Sequence, residues 1–159
     1  NSDSEVIIHA YEEWGMQFLE KIDGMFAFAI WDEYSQTLLL VRDRFGIKPL
    51  YYFFDKENFI FASEIKAIIT NKDIKREINK KSLSEYFIYR YIPAPNTILQ
   101  NIFKIPPAHY LEIDKDINIS QKKYFEIKID NQKQRKNKLI KEVENLIKES
   151  IKEQTDSEI

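Results

Sequence analysis

The sequence predicts an α+β fold whose β-sheets are covered on both faces. Residues 24–31 and 37–41 are apolar runs without the polar alternation of a sheet that has one wet face. Apolar stripes at helical period lie near both ends of the chain, so strands and helices come in blocks. A content of 43% hydrophobic and 14% aromatic residues among 159 supplies material for a core, which excludes a wholly disordered chain. That length fits one domain, or one plus the start of another.

Taken in order, Ser2 and Glu5 have the S-x-x-E spacing of a capping box, so a helix is expected from about Ser4. Val6, Ile7, Ala10, Tyr11 and Trp14 form one apolar stripe that stops at Gly15, and a shorter helical turn through Phe18 and Leu19 follows. The run 24–31 is too short for a core helix and closes on the polar stretch 32–35, which makes it a buried strand in a hairpin with 37–41. Gly46 and Pro49 punctuate a loop that is charged at one end and aromatic at the other. A second hairpin pairs 51–54 with 59–62, and Ser63 is placed to cap a helix over 64–70. Asn79 or Ser82 starts another helix through Tyr86, Phe87 and Tyr89, which ends before Pro93 because residues preceding proline avoid the α region. Short strands are expected over 102–105, 110–113 and 124–129, separated by Pro106 and Pro107 and by a turn at 114–116. From Asn131 the composition shifts to Lys, Glu and Gln. Leu139, Val143, Leu146, Ile147 and Ile151 mark one face of an amphipathic helix, followed by a polar break at 155–158 and one further apolar residue.

Composition excludes several chemistries. With 24 Lys+Arg against 26 Asp+Glu the net charge is −2, so no global field argues for nucleic acid or an anionic membrane. No run is long enough to span a bilayer, and residues 1–5 carry no basic or apolar leader pattern. With no cysteine there is no disulfide framework, thiolate metal site or cysteine nucleophile in this chain. His9 and His109 lie a hundred residues apart, which argues against a metal site; His9 reads as a solvated histidine and His109 as a residue that orders a turn. Only three glycines exist, too few and too scattered for a dinucleotide loop or a P-loop, and no G-x-S-x-G elbow is present. The basic cluster of Lys133, Arg135, Lys136, Lys138 and Lys141 alternates with Glu142, Glu144 and Glu149, the pattern of a solvated face. Asp3 lies where a helix N-terminus favours a carboxylate, so from local physics alone it reads equally well as a helix-end charge.

Five stretches change that balance: Gly24-Met-Phe-Ala-Phe-Ala-Ile-Trp-Asp32, Val41-Arg-Asp-Arg-Phe-Gly-Ile-Lys-Pro-Leu-Tyr-Tyr52, Phe61-Ala-Ser-Glu-Ile-Lys-Ala67, Tyr89-Arg-Tyr-Ile-Pro-Ala-Pro-Asn-Thr-Ile98 and Lys104-Ile-Pro-Pro-Ala-His-Tyr-Leu111. Read together, they resemble the glutamine-hydrolysing asparagine synthetases, with Ala108 where that family commonly carries Gly. The resemblance implies an α+β fold: the C-terminal half of a class II glutamine amidotransferase domain over residues 1–120, with the αββα sandwich of an N-terminal-nucleophile hydrolase. Residues 121–159 would then be a connector and the first helix of an ATP-pyrophosphatase-type α/β synthetase domain. It implies that a mature N-terminal Cys hydrolyses glutamine and that ammonia passes to a C-terminal domain using ATP and Mg²⁺ to amidate aspartate. Asp3 matches the acidic residue that pairs with the α-ammonium of bound glutamine, a charge-assisted contact of about 1.5–3 kcal/mol. No catalytic residue, cofactor-binding residue or metal ligand is expected in this segment, which reads as an inactive piece of a longer, cytoplasmic ligase. Its partners would be glutamine, aspartate and ATP in the parent, the remainder of the same polypeptide and, compatibly, a second copy in a homodimer, with no nucleic acid and no membrane. Arg42, Asp43 and Gly46 match a family motif and read as an ion pair and a tight turn that support the fold. Residues 155–159 resemble the lead-in to the S-G-G-x-D-S pyrophosphate loop.

Three alternatives stand beside this reading. One is a different class II amidotransferase, such as a glucosamine-6-phosphate synthase or a phosphoribosylpyrophosphate amidotransferase, against which the Pro93-Ala-Pro95 loop and the following helix argue. The second is a β-lactam synthetase relative, which often lacks the glutaminase Cys. The third is a noncatalytic module that pairs with another chain through exposed sheet edges and apolar faces at Phe26, Phe28, Ile30 and Trp31.

Overall fold

A computed structural model describes residues 2–55, 57–129 and 136–155. The chain divides into two compact units, residues 1–126 and 127–159.

The first unit opens with helix α1 (Asp3–Trp14), a 3₁₀ turn (Gly15–Gln17) and the single-turn helix α2 (Phe18–Lys21). Ser2 holds the N-cap position in extended conformation, but its hydroxyl makes no cap hydrogen bond. Its carbonyl accepts from the amides of Glu5 and Val6, and the serine-hydroxyl half of the expected capping box does not form. Gly15, with φ +52°, ends α1 where the stripe stops.

Strands β1 (Ala27–Asp32) and β2 (Thr37–Arg42) form the first hairpin, and β3 (Tyr51–Phe54) and β4 (Phe59–Ala62) the second. Helix α3 (Ile65–Ile68) is shorter than expected, and its N-cap is Glu64, not Ser63, with no side-chain cap bond. Helix α4 (Lys80–Tyr89) is capped by Asn79, whose Oδ1 accepts from the amides of Lys81 and Ser82 at 3.1 and 3.2 Å. It ends at Arg90 in the left-handed region, before the prolines. Strands β5 (Ile102–Lys104), β6 (His109–Ile113) and β7 (Ile119–Lys123) complete the unit.

All pairings are antiparallel, giving a four-stranded sheet in the order β1-β2-β6-β7 and a three-stranded sheet in the order β4-β3-β5. The period-two alternation of side chains sorts the core into layers. Leu39, Val41 and Tyr110 face α1 and α2, packing on Ala10, Phe18 and Leu19. Leu40, Leu111 and Ile113 point the other way, onto Leu50 and Ile105, with Tyr52 and Phe59 beside them from the three-stranded sheet. That sheet's far side packs Phe53 and Ile102 on Ile68 of α3 and on Ile74. The result is a helix–sheet–sheet–helix stack, and the central β2 is buried on both faces from Leu39 to Arg42, as its unbroken apolar run requires. Burying Phe18 and Leu19 completely contributes about 1.5–3 kcal/mol each.

The last expected strand is displaced. Residues 124–129 are not a strand; the polar segment Ile119–Lys123 is, as the outer strand beside β6. An outer strand with one wet face needs little apolar content, so the aromatic and β-branched residues of 124–129 misdirect the reading. Tyr124 serves instead as an anchor, its hydroxyl donating to the Arg42 carbonyl at 2.8 Å and its amide to the Ala108 carbonyl at 2.9 Å.

The second unit contains helix α5 (Lys136–Thr155). Its stripe of Leu139, Val143, Leu146, Ile147 and Ile151 is solvent-exposed, and Lys148 pairs with Glu144 one turn away at 2.7 Å. Lys133, Arg135 and the segment 156–159 lie outside the described residues. Among those described, no helix is long and apolar enough to cross a membrane.

Candidate functional site

Two charged residues at the end of β2 organise the loop that follows. Asp43 has no exposed surface. Its Oδ1 accepts from the amides of Phe45 (3.1 Å) and Ile47 (3.0 Å) and its Oδ2 from that of Lys48 (2.9 Å). Three backbone amides directed at one carboxylate are charge-assisted bonds, each worth about 1.5–3 kcal/mol. Arg42 does the converse, donating from Nε to the Lys48 carbonyl (2.8 Å), from Nη1 to that of Ile105 (2.6 Å) and from Nη2 to that of Gly46 (2.5 Å). Burial pushes the guanidinium pKa down, an effect opposed by the Asp43 charge. Among the described residues the two side chains form no ion pair with each other; each is spent on backbone groups, which corrects the ion-pair expectation. The tight turn is present. Gly46 has φ +67°, and a Cβ there would lie 2.8 Å from Pro107 Cγ and 3.0 Å from Arg42 Cζ.

The same pair ties together the segments that flank β2 in the four-stranded sheet. The Asp43 amide donates to the Phe26 carbonyl and its carbonyl accepts from Ala108, both at 2.9 Å, while Tyr124 closes on the Arg42 carbonyl. Burial, helped by the Asp43 carboxylate, pushes the Tyr124 phenol up to about 12. Lys104, whose Nζ donates to the Ile92 carbonyl at 3.2 Å, is shifted down by burial and then by the Arg42 charge.

This loop forms one wall of a cleft. Lys48 and Pro49 face the first turns of α1 at Ser4 and Ile7, over a floor of Met25, Phe26, Ala27 and Phe28 at the entry to β1, with Ser63 at the rim; the volume is about 380 Å³. Asp3 lies at the N-terminal end of the helix that carries Ser4 and Ile7; its side chain is outside the described residues. A larger cleft, about 620 Å³, lies against other residues of α1, between Ile8, Tyr11 and Glu12 and the β1 end with its turn. Its central polar groups are already used. Asp32 caps the hairpin turn through the amides of Tyr34 and Ser35, and Tyr11 donates to its other oxygen at 3.1 Å. The smaller cleft, where Ser4, Lys48 and Ser63 line a mainly apolar surface, is the better candidate because the 42–52 loop contributes to it.

The histidines stay apart. His9 is exposed beside Glu12 at 3.2 Å, and His109 holds the Pro107 carbonyl at 2.7 Å, ordering the turn before β6. Among the described residues no group of three His, Cys, Asp or Glu side chains could hold a metal ion.

Comparison with known proteins identifies the framework around this cleft. Residues 1–125 match the model of the glutamine amidotransferase domain. The chain belongs to that family. The amidotransferase domain's relatives include the glutamine-hydrolyzing asparagine synthetase 3 of Bacillus subtilis, 43% identical over 116 residues, which cover 72% of this chain and 19% of that protein. Asparagine synthetase 1 of the same organism is 36% identical over 152 residues, 95% of this chain and 24% of its own length. The chain thus spans about a fifth to a quarter of these curated relatives. Among solved structures, the glutamine phosphoribosylpyrophosphate amidotransferase of B. subtilis superposes with a TM-score of 0.51 at 17% identity, over 79% of this chain and 23% of that one. At that identity the likeness speaks for the fold, and it agrees with the layered sandwich of the amidotransferase unit.

The sequence pointed to the 42–52 loop but not to the cleft, whose lining comes from four separated segments. Lys48 is the functional candidate it missed; the only signal was one cation beside Pro49 in an otherwise apolar stretch.

Proposed function

We propose that this chain is part of a glutamine-dependent asparagine synthetase, which makes asparagine from aspartate, glutamine and ATP, and that residues 1–120 belong to the half that releases ammonia from glutamine. The observation that carries this is the 36% identity to asparagine synthetase 1 over 95% of the chain: the likeness runs on past residue 125, where the family match ends, into α5. A relationship confined to the amidotransferase domain does not account for that continuation. The segment that follows the amidotransferase match is accordingly a connector and the first helix of the synthetase part, whose exposed apolar stripe suits a helix awaiting a domain to pack on; the boundary expected at residue 120 falls inside β7.

Within the chain, Asp3, at the N-terminal end of α1, pairs with the α-ammonium of glutamine. Because the chain contains no cysteine, the nucleophile comes from another stretch of the parent polypeptide. The described residues do not fit a nucleotide or Mg²⁺ site, offering neither a glycine-rich phosphate loop nor an acidic metal cluster. ATP and Mg²⁺ therefore belong to the remainder of the parent, which is cytoplasmic, with a homodimer compatible and no nucleic acid or membrane partner.

The test is steady-state synthesis by the parent enzyme with either glutamine or ammonia as nitrogen donor. Asp3→Asn is expected to raise the KM for glutamine ten- to a hundredfold, the equivalent of a contact of about 1.5–3 kcal/mol, while ammonia-supported synthesis is unchanged. A parent that makes no asparagine from glutamine, aspartate and ATP overturns the assignment. An unchanged glutamine KM in Asp3→Asn returns that residue to a helix-end charge.

A further inference from the structure

We propose that Arg42 and Asp43 are positioning residues for glutamine use, acting through the cleft wall at Lys48 and Pro49. This rests on the glutaminase reading above. Both backbone polar groups of one exposed residue, Lys48, are held by two adjacent buried charges: its amide donates to Asp43 Oδ2 at 2.9 Å and its carbonyl accepts from Arg42 Nε at 2.8 Å. A tie between layers does not require these bonds. Arg42 Nη1 on the Ile105 carbonyl already reaches the three-stranded sheet, and the Asp43 main chain on Phe26 and Ala108 extends the pairing of β2 with β1 and β6, whereas the bonds to Phe45, Gly46, Ile47 and Lys48 stay within the loop. What those inner bonds fix is where the loop leaves Lys48 and Pro49. Both side chains line the cleft, and Lys48 is the single cation among the described residues that line it. A wall fixed in this way holds a bound substrate in register, and a displacement of about 1 Å at such a wall can cost up to a hundredfold in rate.

The two roles separate by experiment on the parent enzyme. Asp43→Asn keeps one oxygen for the amides of Phe45 and Ile47 but turns a donating amide nitrogen toward the Lys48 N–H. Its KM for glutamine is expected to rise about tenfold, with ammonia-supported asparagine synthesis as the internal reference. Tyr124→Phe is the structural control, removing a hydrogen bond to the Arg42 carbonyl without touching Lys48, and is expected to lower the melting temperature while leaving the glutamine KM in place. Should Asp43→Asn fail to fold, Arg42→Lys serves the same purpose, because a lysine cannot span the Gly46, Lys48 and Ile105 carbonyls at once. A positioning variant whose glutamine KM stays within twofold of wild type, or a Tyr124→Phe that raises it equally, overturns this role and leaves the glutaminase reading standing. A wild-type parent that uses ammonia but not glutamine overturns both.

Discussion

Four aspartates perform the same local chemistry in two settings. Asp32, Asp55 and Asp114 each accept amides from a hairpin turn at the solvent-facing ends of the sheets, from Tyr34 and Ser35, from Glu57 and Asn58, and from Asp116 and Asn118. Asp43 does so between the layers with no exposed surface. Water competes for the amide bonds at the outer turns, and those amides belong only to the hairpin that each turn closes, although Asp32 also accepts from Tyr11 of α1. At Asp43 water is excluded, and the same residue joins β1, the loop and the β6 entry. A turn motif therefore does not carry a fixed energy; burial and the number of segments it joins decide its worth.

Replacement of Asp43 by Ala gives the largest expected effect. It leaves three amides without an acceptor, and urea unfolding should show a loss of at least about 3 kcal/mol. A loss below about 1 kcal/mol would place Asp43 with the outer aspartates. Gly46→Ala comes next, at about 2 kcal/mol, since a left-handed residue must also find room against Pro107 and Arg42. Tyr124→Phe should cost about 1 kcal/mol at neutral pH. The tyrosine also shapes the alkaline limb. Its folded pKa of about 12 stands above the ordinary 10.0, so its contribution is whole below pH 10 and is lost as the pH rises toward 12. The variant should flatten that limb without abolishing it, because burial raises Tyr11, Tyr52 and Tyr110 as well.

The smallest effects belong to Asp32→Asn, Asp55→Asn and Asp114→Asn. Amide hydrogen bonds at Asp32 and Asp55, and the Asn118 side chain at Asp114, hold these carboxyls below the ordinary 3.8. Their stabilisation is present above that pH and fades as the pH falls through the lowered folded values, so acid titration of the three variants should show a shallower loss than wild type.

Both hairpins, the Gly15 stop, the Asn79 cap and the α5 stripe were legible in the sequence because each depends on neighbours within a few residues or on a plain period. The unbroken apolar run of β2 likewise announced a strand buried on both faces. What failed depended on distant partners. The polar Ile119–Lys123 becomes a strand because β6 offers it an edge, and Tyr124 leaves the sheet to bond a carbonyl 82 residues away. Ser2 and Ser63 sit where caps belong, yet neither side chain caps its helix. Arg42 beside Asp43 suggests an ion pair, but geometry turns each toward different backbone groups. At the site, the family motif located the loop, whereas the cleft needed the three-dimensional meeting of α1, β1, the loop and Ser63.

The order β1-β2-β6-β7 gives the larger sheet two unlike borders. At one, β7 presents Lys122 and Lys123, paired with Glu112 and Glu126. At the other, β1 carries the exposed Trp31 and no partner strand among the described residues. Fibril growth needs a sheet that accepts a strand on one side and offers a clean border on the other, and lysine-bearing borders discourage such pairing. Among the described residues, β1 is therefore the border of this sheet that is more open to a further strand and β7 the less open one.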